Sequence, residues 1–331
     1  MSHRLDNALF GAVVLLVCGA NEVAVALIFA IFGYNLACKM QEEEKHNRRG
    51  RRYKDWRPWW RAEVRSAVSV LLLPFFIWNV AAFVVQLALG NLHAGDVRAW
   101  LALSGLDLTQ PTFLPNLWIT RNLFFLVVIS PIFSILVRKI RWALVLATGA
   151  FFFSWQICRA TLDPEGNNLL TYGCSLIGLA AFTLGVLLRR EHLHFSKKFA
   201  CYIALALAAF FWYAPDHPPF ASIRQLAKVA KIAFLPLLCY GLWGLTPAKR
   251  LPSALLRSTS AIFFLHGIFL AIYGTLLASP DASILDRVLS TAAALVLSFL
   301  VHRMLQPFPQ LTKRIFPMQG SDSEPSPSKL P

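Results

Sequence analysis

The stretch Asn116–Val137 reads NLWITRNLFFLVVISPIFSILV and decides the class of fold. It offers about the twenty predominantly apolar residues that an α-helix needs to cross the hydrocarbon core of a bilayer. Near its start it carries Arg121, an ionised group that is costly in hydrocarbon unless a partner or a wet cavity receives it. The stretch therefore predicts a membrane-spanning helix with a candidate functional residue. The alternative is that Arg121 extends to the outer headgroups beside Trp118.

The composition of the whole chain agrees with a membrane protein. Of its 331 residues, 56% are hydrophobic and 15% are charged, and the mean hydropathy is +0.54. Ordinary soluble domains carry about 25% charged residues. We expect an all-α, polytopic transmembrane helical bundle over residues 1–318, followed by a disordered cytoplasmic tail over residues 319–331, which is polar and rich in Pro and Ser.

Nine apolar segments are long enough to count as candidate spans. They are 8–38, 67–90, 117–137, 142–158, 168–188, 199–213, 229–246, 258–278 and 285–304. Every second connection is basic, and these basic segments hold 24 of the 32 Lys and Arg residues. Bases accumulate in cytoplasmic loops, so the basic connections and the C-terminus are predicted to be cytoplasmic and the N-terminus to lie outside. The net charge of +15 is therefore not a sign of nucleic-acid binding.

The first candidate span is too long for one crossing. Residues 8–38 would form a helix of about 46 Å at 1.5 Å per residue, against a hydrocarbon core of about 30 Å. Asn21 and Glu22 interrupt it. We expect the crossing to lie mainly in 18–38, with 5–17 as an outer, interfacial or re-entrant segment.

Bases alternate with tryptophans in the connection 39–66, where Arg61 and Arg65 follow Trp59 and Trp60. Interfacial aromatics and bases beside an anionic leaflet explain this pattern without a ligand. The other interpretation is a phosphate-binding surface for a cytoplasmic cosubstrate.

His266 lies in the middle of a span, in AIFFLHGIFL. A neutral imidazole can be buried when its nitrogens are paired, so a structural and a catalytic role are both open. The six cysteines lie in apolar runs without metal-ligand spacing, and the sequence predicts neither a metal site nor a disulfide framework.

Four segments of the chain together resemble one protein family. They are Val23–Leu36 (VAVALIFAIFGYNL), Arg61–Trp78 (RAEVRSAVSVLLLPFFIW), Leu117–Pro131 (LWITRNLFFLVVISP) and Ala261–Phe269 (AIFFLHGIF). In order along the chain they resemble acyltransferase family 3, a family of integral membrane acyltransferases. In the first segment Phe29, Gly33 and Tyr34 match the family pattern, and Phe32 replaces its usual Ser.

The resemblance implies an enzyme that moves an acyl group, acetyl in the expected case, from acyl-CoA to a hydroxyl of a cell-envelope glycan or related acceptor. Its partners would be the lipid bilayer of a bacterial inner membrane, acyl-CoA and the acceptor, with no tightly bound cofactor. Arg121 would be catalytic, pairing with an acceptor carboxylate or a developing oxyanion. Arg61 and Arg65 would contact the phosphates of CoA, and His266 and Tyr34 would bind substrate.

The family's hallmark is an Arg followed, after ten intervening residues, by a catalytic His on the first helix. This chain has no such pair, since position 15, eleven after Arg4, is Leu15. The opening Met1-Ser2-His3 suggests that Met1 lies inside the first helix, that His3 is the catalytic His, and that a tenth span precedes it. The alternative is that His3 is a flexible terminal residue.

Two other functions stay open at this point. The missing pair would also suit a non-catalytic membrane subunit. Intramembrane charges and broken helices also occur in transporters, here of a lipid-linked glycan.

Overall fold

The computed structural model describes residues 2–18, 21–49, 57–90, 92–93, 95, 117–132, 136, 140, 176–190, 202, 245–246, 249–276 and 284–316. These residues form nine α-helices and one π-helical turn, with no strand among them. The helices are α1 (Ser2–Val17), α2 (Asn21–Arg49), α3 (Arg57–Ala67), α4 (Leu73–Ala88), α5 (Leu117–Val128), α6 (Leu176–Arg190), α7 (Ser253–Leu276), α8 (Ile284–Leu305) and α9 (Pro309–Ile315), and the π turn is Val68–Leu72. The all-α class predicted from the sequence is confirmed.

Within the described residues, four stretches are long and apolar enough to cross a membrane. They are Val23–Glu42, Arg57–Ala88, Ser253–Tyr273 and Val288–Leu305. Leu5–Val17 and Leu117–Val128 are shorter apolar helices. The predicted spans 142–158, 199–213 and 229–246 lie, apart from isolated residues, outside the described residues, as does the tail 319–331.

The first predicted span is a pair of helices, α1 and α2, that pack against each other. Leu5 contacts the cluster formed by Tyr34, Leu184 and Leu188, so the start of α1 lies at the level of the middle of α2. The Asn7 amide bonds the main chain of Lys249 and Leu251. Leu5–Val17 is a shorter apolar helix, and its placement as an outer, interfacial or re-entrant segment stays a prediction. Ala12 and Val13 are buried, which places α1 inside the bundle.

Helices α3 and α4 form one long rod through the π turn. Leu73 donates its N–H to the carbonyl of Val68, five residues back, just before Pro74. Proline has no N–H and its ring clashes with the carbonyl four residues earlier, so a wider turn before Pro74 is the physical consequence. The helix begins at Arg57, within the predicted connection 39–66 and ten residues before the predicted apolar span 67–90, and Pro58 in its first turn is compatible with helix.

The C-terminal part returns to the bundle after α8. Thr312 of α9 donates its hydroxyl to the carbonyl of Leu305, and Phe316 is fully buried. Trp78 donates its indole N–H to the Ile315 carbonyl at 3.1 Å, and Ser260 donates to the Phe316 carbonyl at 3.3 Å. Residues 309–316 therefore close one end of the space between α4, α7 and α8.

Candidate functional site

Arg121 lies inside the bundle on α5, and its side chain is 3% exposed. Its neighbours Thr120 and Asn122 are buried too, and each donates to a carbonyl of its own helix. Trp118, one turn earlier, stacks on Phe29 of α2 at 6.4 Å between ring centroids. The alternative that Arg121 extends to the outer headgroups beside Trp118 is not what the structure shows.

The face of α5 that carries Arg121 is buried at Arg121 and becomes exposed toward the end of the helix. Phe125 and Ile129 lie four and eight residues later, on the same side, and are 41% and 38% exposed. Residues four apart share one face of an α-helix. The side chains on that face are therefore exposed at Phe125 but buried at Arg121. The rest of the chain covers the guanidinium of Arg121.

His266 lies on α7, thirteen residues after the start of that helix, and is 5% exposed. Its Nδ1 lies 2.8 Å from the carbonyl oxygen of Ile262. A carbonyl can only accept, so Nδ1 carries the proton and the neutral ring keeps a lone pair on Nε2. The arrangement fixes the tautomer that leaves Nε2 able to accept a proton or a hydrogen bond.

Helix α4 packs against both α5 and α7 and brings a further polar group into the core. Asn79 is fully buried and donates from Nδ2 to the carbonyl of Phe75 at 2.8 Å. Its Oδ1 has no hydrogen-bond partner among the described residues. A buried acceptor without a partner is a place where water or a polar ligand group binds. Sequence reasoning passed over Asn79, although a lone amide in an apolar run is the same kind of signal as Arg121.

Arg121 and His266 are both buried in one continuous apolar core, but on different helices. In the part of the chain that the structure describes, no hydrogen bond joins them. Any joint role therefore depends on a substrate lying between polar groups of α4, α5 and α7.

Tyr34 lies elsewhere, in a small cluster with Leu184 and Leu188 of α6. The guanidinium of Arg189 lies 5.8 Å from the centre of the Tyr34 ring, a cation–π distance. The structure thus brings Tyr34 to the end of α6 and not to Arg121 or His266. Its predicted role in substrate binding stays a prediction.

The remaining predicted site residues lie on α1 and α3. His3 belongs to the first turn of α1. Arg61 and Arg65 are exposed on one face of α3, so their predicted contact with CoA phosphates stays a prediction. Among the described residues, no three His, Cys, Asp or Glu side chains converge as metal ligands.

A family model described as an acyltransferase domain matches residues 4–303, which is most of the chain. The match includes nearly all of α1, all of α2 to α7 and nearly all of α8, and therefore Arg121, His266 and Tyr34. No curated protein and no solved structure was found to match the chain.

Proposed function

The chain belongs to the acyltransferase 3 family, and we propose that it moves an acyl group from acyl-CoA to a hydroxyl of a cell-envelope glycan or related acceptor. Acetyl is the expected acyl group. The membrane would be a bacterial inner membrane, with the basic connections facing the cytoplasm, where acyl-CoA is made. The family and the apolar helices support a membrane acyltransferase, and the donor, acceptor and orientation are our proposal.

The observation that supports this chemistry best is the short distance between His266 Nδ1 and the Ile262 carbonyl oxygen, from which the tautomer follows. With its proton held on Nδ1 by the Ile262 carbonyl, the ring offers Nε2 as a general base. Histidine is the usual general base because the ordinary pKa of its side chain lies near the working pH.

In the proposed reaction Nε2 of His266 takes the proton of the acceptor hydroxyl while that oxygen attacks the thioester carbonyl. The C–S bond then breaks, an ester forms, and the proton passes from His266 to the departing sulfur, so CoA leaves as its thiol. The Arg121 guanidinium stabilises the negative charge that develops on the carbonyl oxygen. Oδ1 of Asn79 accepts a hydrogen bond from the bound acceptor.

A second candidate is a non-catalytic membrane subunit. It is favoured by one observation, the absence of an Arg followed after ten residues by a His at the family's usual place. In this case the buried polar groups would hold a ligand or partner without reaction.

The test is acyl transfer by the purified chain in proteoliposomes, with acetyl-CoA as donor and an oligosaccharide fraction of a bacterial envelope as acceptor. We expect acceptor-dependent release of free CoA, lost in His266→Ala and in Arg121→Met. The matched controls are His93→Ala and Arg303→Met, which change exposed residues of the same types and should stay active.

The outcomes separate the candidates. Activity at the wild-type level in both His266→Ala and Arg121→Met would rule out the proposed roles. Loss of activity in His3→Ala would indicate that His3 is the catalytic histidine. No CoA release above protein-free liposomes would favour the non-catalytic subunit, and movement of glycan without CoA release would favour a transporter.

A further inference from the structure

One face of the rod formed by α3, the π turn and α4 is exposed along its whole length. At its start this face carries Arg57, Arg61 and Arg65, which are spaced four residues apart and are all exposed. Beyond the π turn the exposed positions are apolar. Leu73, Phe76, Val80 and Val84 are between 41% and 56% exposed.

The π turn keeps these two halves on the same side of the rod. In an α-helix each step of four residues drifts by about 40°, so sixteen residues from Arg57 to Leu73 would drift by about 160°. A π-helical turn holds more residues than an α-helical turn, and therefore returns Leu73 toward the line of the arginines. Pro74, which causes the turn, thus aligns the basic and the apolar halves.

The depth of each half follows from the rise of the helix. Val68 to Ala88 spans about 30 Å at 1.5 Å per residue, which equals the hydrocarbon core of a bilayer. Arg65 and Arg61 then lie about 5 and 10 Å beyond the edge of the core. The headgroup layer on the side where α3 begins is about 5–8 Å thick, so Arg65 lies within it and Arg61 reaches it with its long side chain.

The charge of Arg61 and Arg65 is not neutralised by the carboxylate of α3. Glu63, the one carboxylate of α3, forms an ion pair with Lys39 of α2 at 2.9 Å. That pair, together with the bond from Trp60 Nε1 to the Val128 carbonyl, fixes the rotation of α3. The arginine face is therefore held toward the lipid side.

We propose that Arg61 and Arg65, extended by Arg57, form a binding site for the phosphate headgroup of an anionic phospholipid, which we call the arginine stripe. Its guanidinium groups bind phosphate oxygens through paired N–H donors, while the acyl chains lie along Phe76, Val80 and Val84. The stripe selects anionic over neutral lipid because only the former leaves a net negative charge to be paired. This inference does not depend on the proposed function.

The phosphates of CoA share this chemistry and are the other source of a ligand. The lipid is favoured because the arginines continue the face whose apolar part is exposed to the membrane, and not a face that points into the core with His266. A cosubstrate bound at the stripe would lie outside the bundle that buries the candidate site.

The test uses the full chain in nanodiscs of phosphatidylcholine containing phosphatidylglycerol, with bound lipid counted by native mass spectrometry after extraction. We expect the wild type to retain phosphatidylglycerol, and the double variant Arg61→Gln/Arg65→Gln to bind it about twenty-five-fold more weakly, at about five-fold per arginine. The matched control is Arg250→Gln/Arg314→Gln, which removes the same charge from exposed arginines elsewhere and should retain the lipid. Because all four side chains are exposed, each variant should elute as the wild type does in size-exclusion chromatography.

Three results would overturn the proposal. The first is equal retention of phosphatidylglycerol in the wild type and in Arg61→Gln/Arg65→Gln. The second is an equal loss in both double variants, which would indicate a diffuse effect of net charge. The third is displacement of the lipid by millimolar CoA, which would assign the stripe to the cosubstrate. This experiment measures bound lipid and not acyl transfer. A failure of the lipid-binding proposal can therefore be told apart from a failure of the proposed enzyme activity.

Discussion

The Cα atom of Gly33 on α2 packs directly against the main-chain carbonyl of Phe182 on α6, with no room for a methyl group between them. The contact is matched one turn further along α6, where Gly185 lies in the same way against the carbonyl of Ala30. Small residues let two membrane helices approach until their backbones touch, and packing then replaces the hydrophobic drive that lipid removes. Gly33, one of the positions that resemble the family pattern, therefore has a structural reason to be glycine.

Replacement of Gly33 by Ala should separate α2 from α6. Its Cβ would overlap the backbone of Phe182, which cannot rotate away, so we expect about 1–3 kcal/mol of destabilisation. Thermal unfolding in detergent measures the effect as a lower midpoint. The matched control is Gly11→Ala on α1, where a Cβ meets nothing within 4 Å and the midpoint should not fall. Equal midpoints for the two variants would contradict the packing.

The sequence made burial of His266 and Arg121 a possible outcome, because a polar group in an apolar run is placed inward to avoid hydrocarbon, but for Arg121 it left extension to the headgroups equally open. The all-helical class followed from span length in the same way. The docking of α1 beside the start of α7 was not predictable, because it rests on the contact of Asn7 with Lys249, which is 242 positions away in sequence. The return of Phe316 to Ser260 and Trp78 is also a long-range contact that no local pattern specifies.

The C-terminal return should depend on Phe316 more than on any exposed residue of the same segment. Phe316 stacks on Trp78 at 5.5 Å and contacts the His302 ring at 5.9 Å. Truncation of a buried Phe costs about 3–5 kcal/mol, so Phe316→Ala should lower the unfolding midpoint strongly. Phe308→Ala, at a position 60% exposed, is the control and should change it little.

The hydrogen bond from the indole of Trp78 is one part of the docking of residues 309–316, and its removal can be tested alone. Trp78→Phe keeps an aromatic ring between Phe264 and Phe316 but loses the bond to the Ile315 carbonyl. We expect a loss of about 1 kcal/mol, clearly less than for Phe316→Ala. Limited proteolysis followed by mass spectrometry should show faster cleavage after α8. Unchanged cleavage in both Trp78→Phe and Phe316→Ala would contradict the docking of residues 309–316.

Asn7 should anchor α1 to the start of α7. Its Nδ2 donates to the Lys249 carbonyl at 2.8 Å, and its Oδ1 accepts from the Leu251 N–H at 3.1 Å. Asn7→Ala leaves both main-chain groups without this partner, at a cost of about 2 kcal/mol in unfolding free energy. Asn35→Ala, at an exposed position of α2, provides the control. A destabilisation no greater than that of Asn35→Ala would show that this link does not hold α1.

The tautomer of His266 predicts that His266→Asn and His266→Gln both lose acyl transfer but differ in stability. The amide nitrogen of Asn can take the place of Nδ1 and donate to Ile262, but Asn has no group at Nε2. His266→Asn should therefore keep the unfolding midpoint of the wild type and lose acyl transfer by about 10²–10⁴-fold, the usual contribution of a general base. His266→Gln reaches the Nε2 position with an amide that cannot take up a proton. It should be equally inactive and, because it gives up the bond to Ile262, less stable.

Turnover and midpoint are measured on the same proteoliposome and detergent preparations. An active His266→Asn would show that Nε2 takes no proton in the reaction, and an unstable one would show that the bond from Nδ1 to Ile262 is not what places the ring.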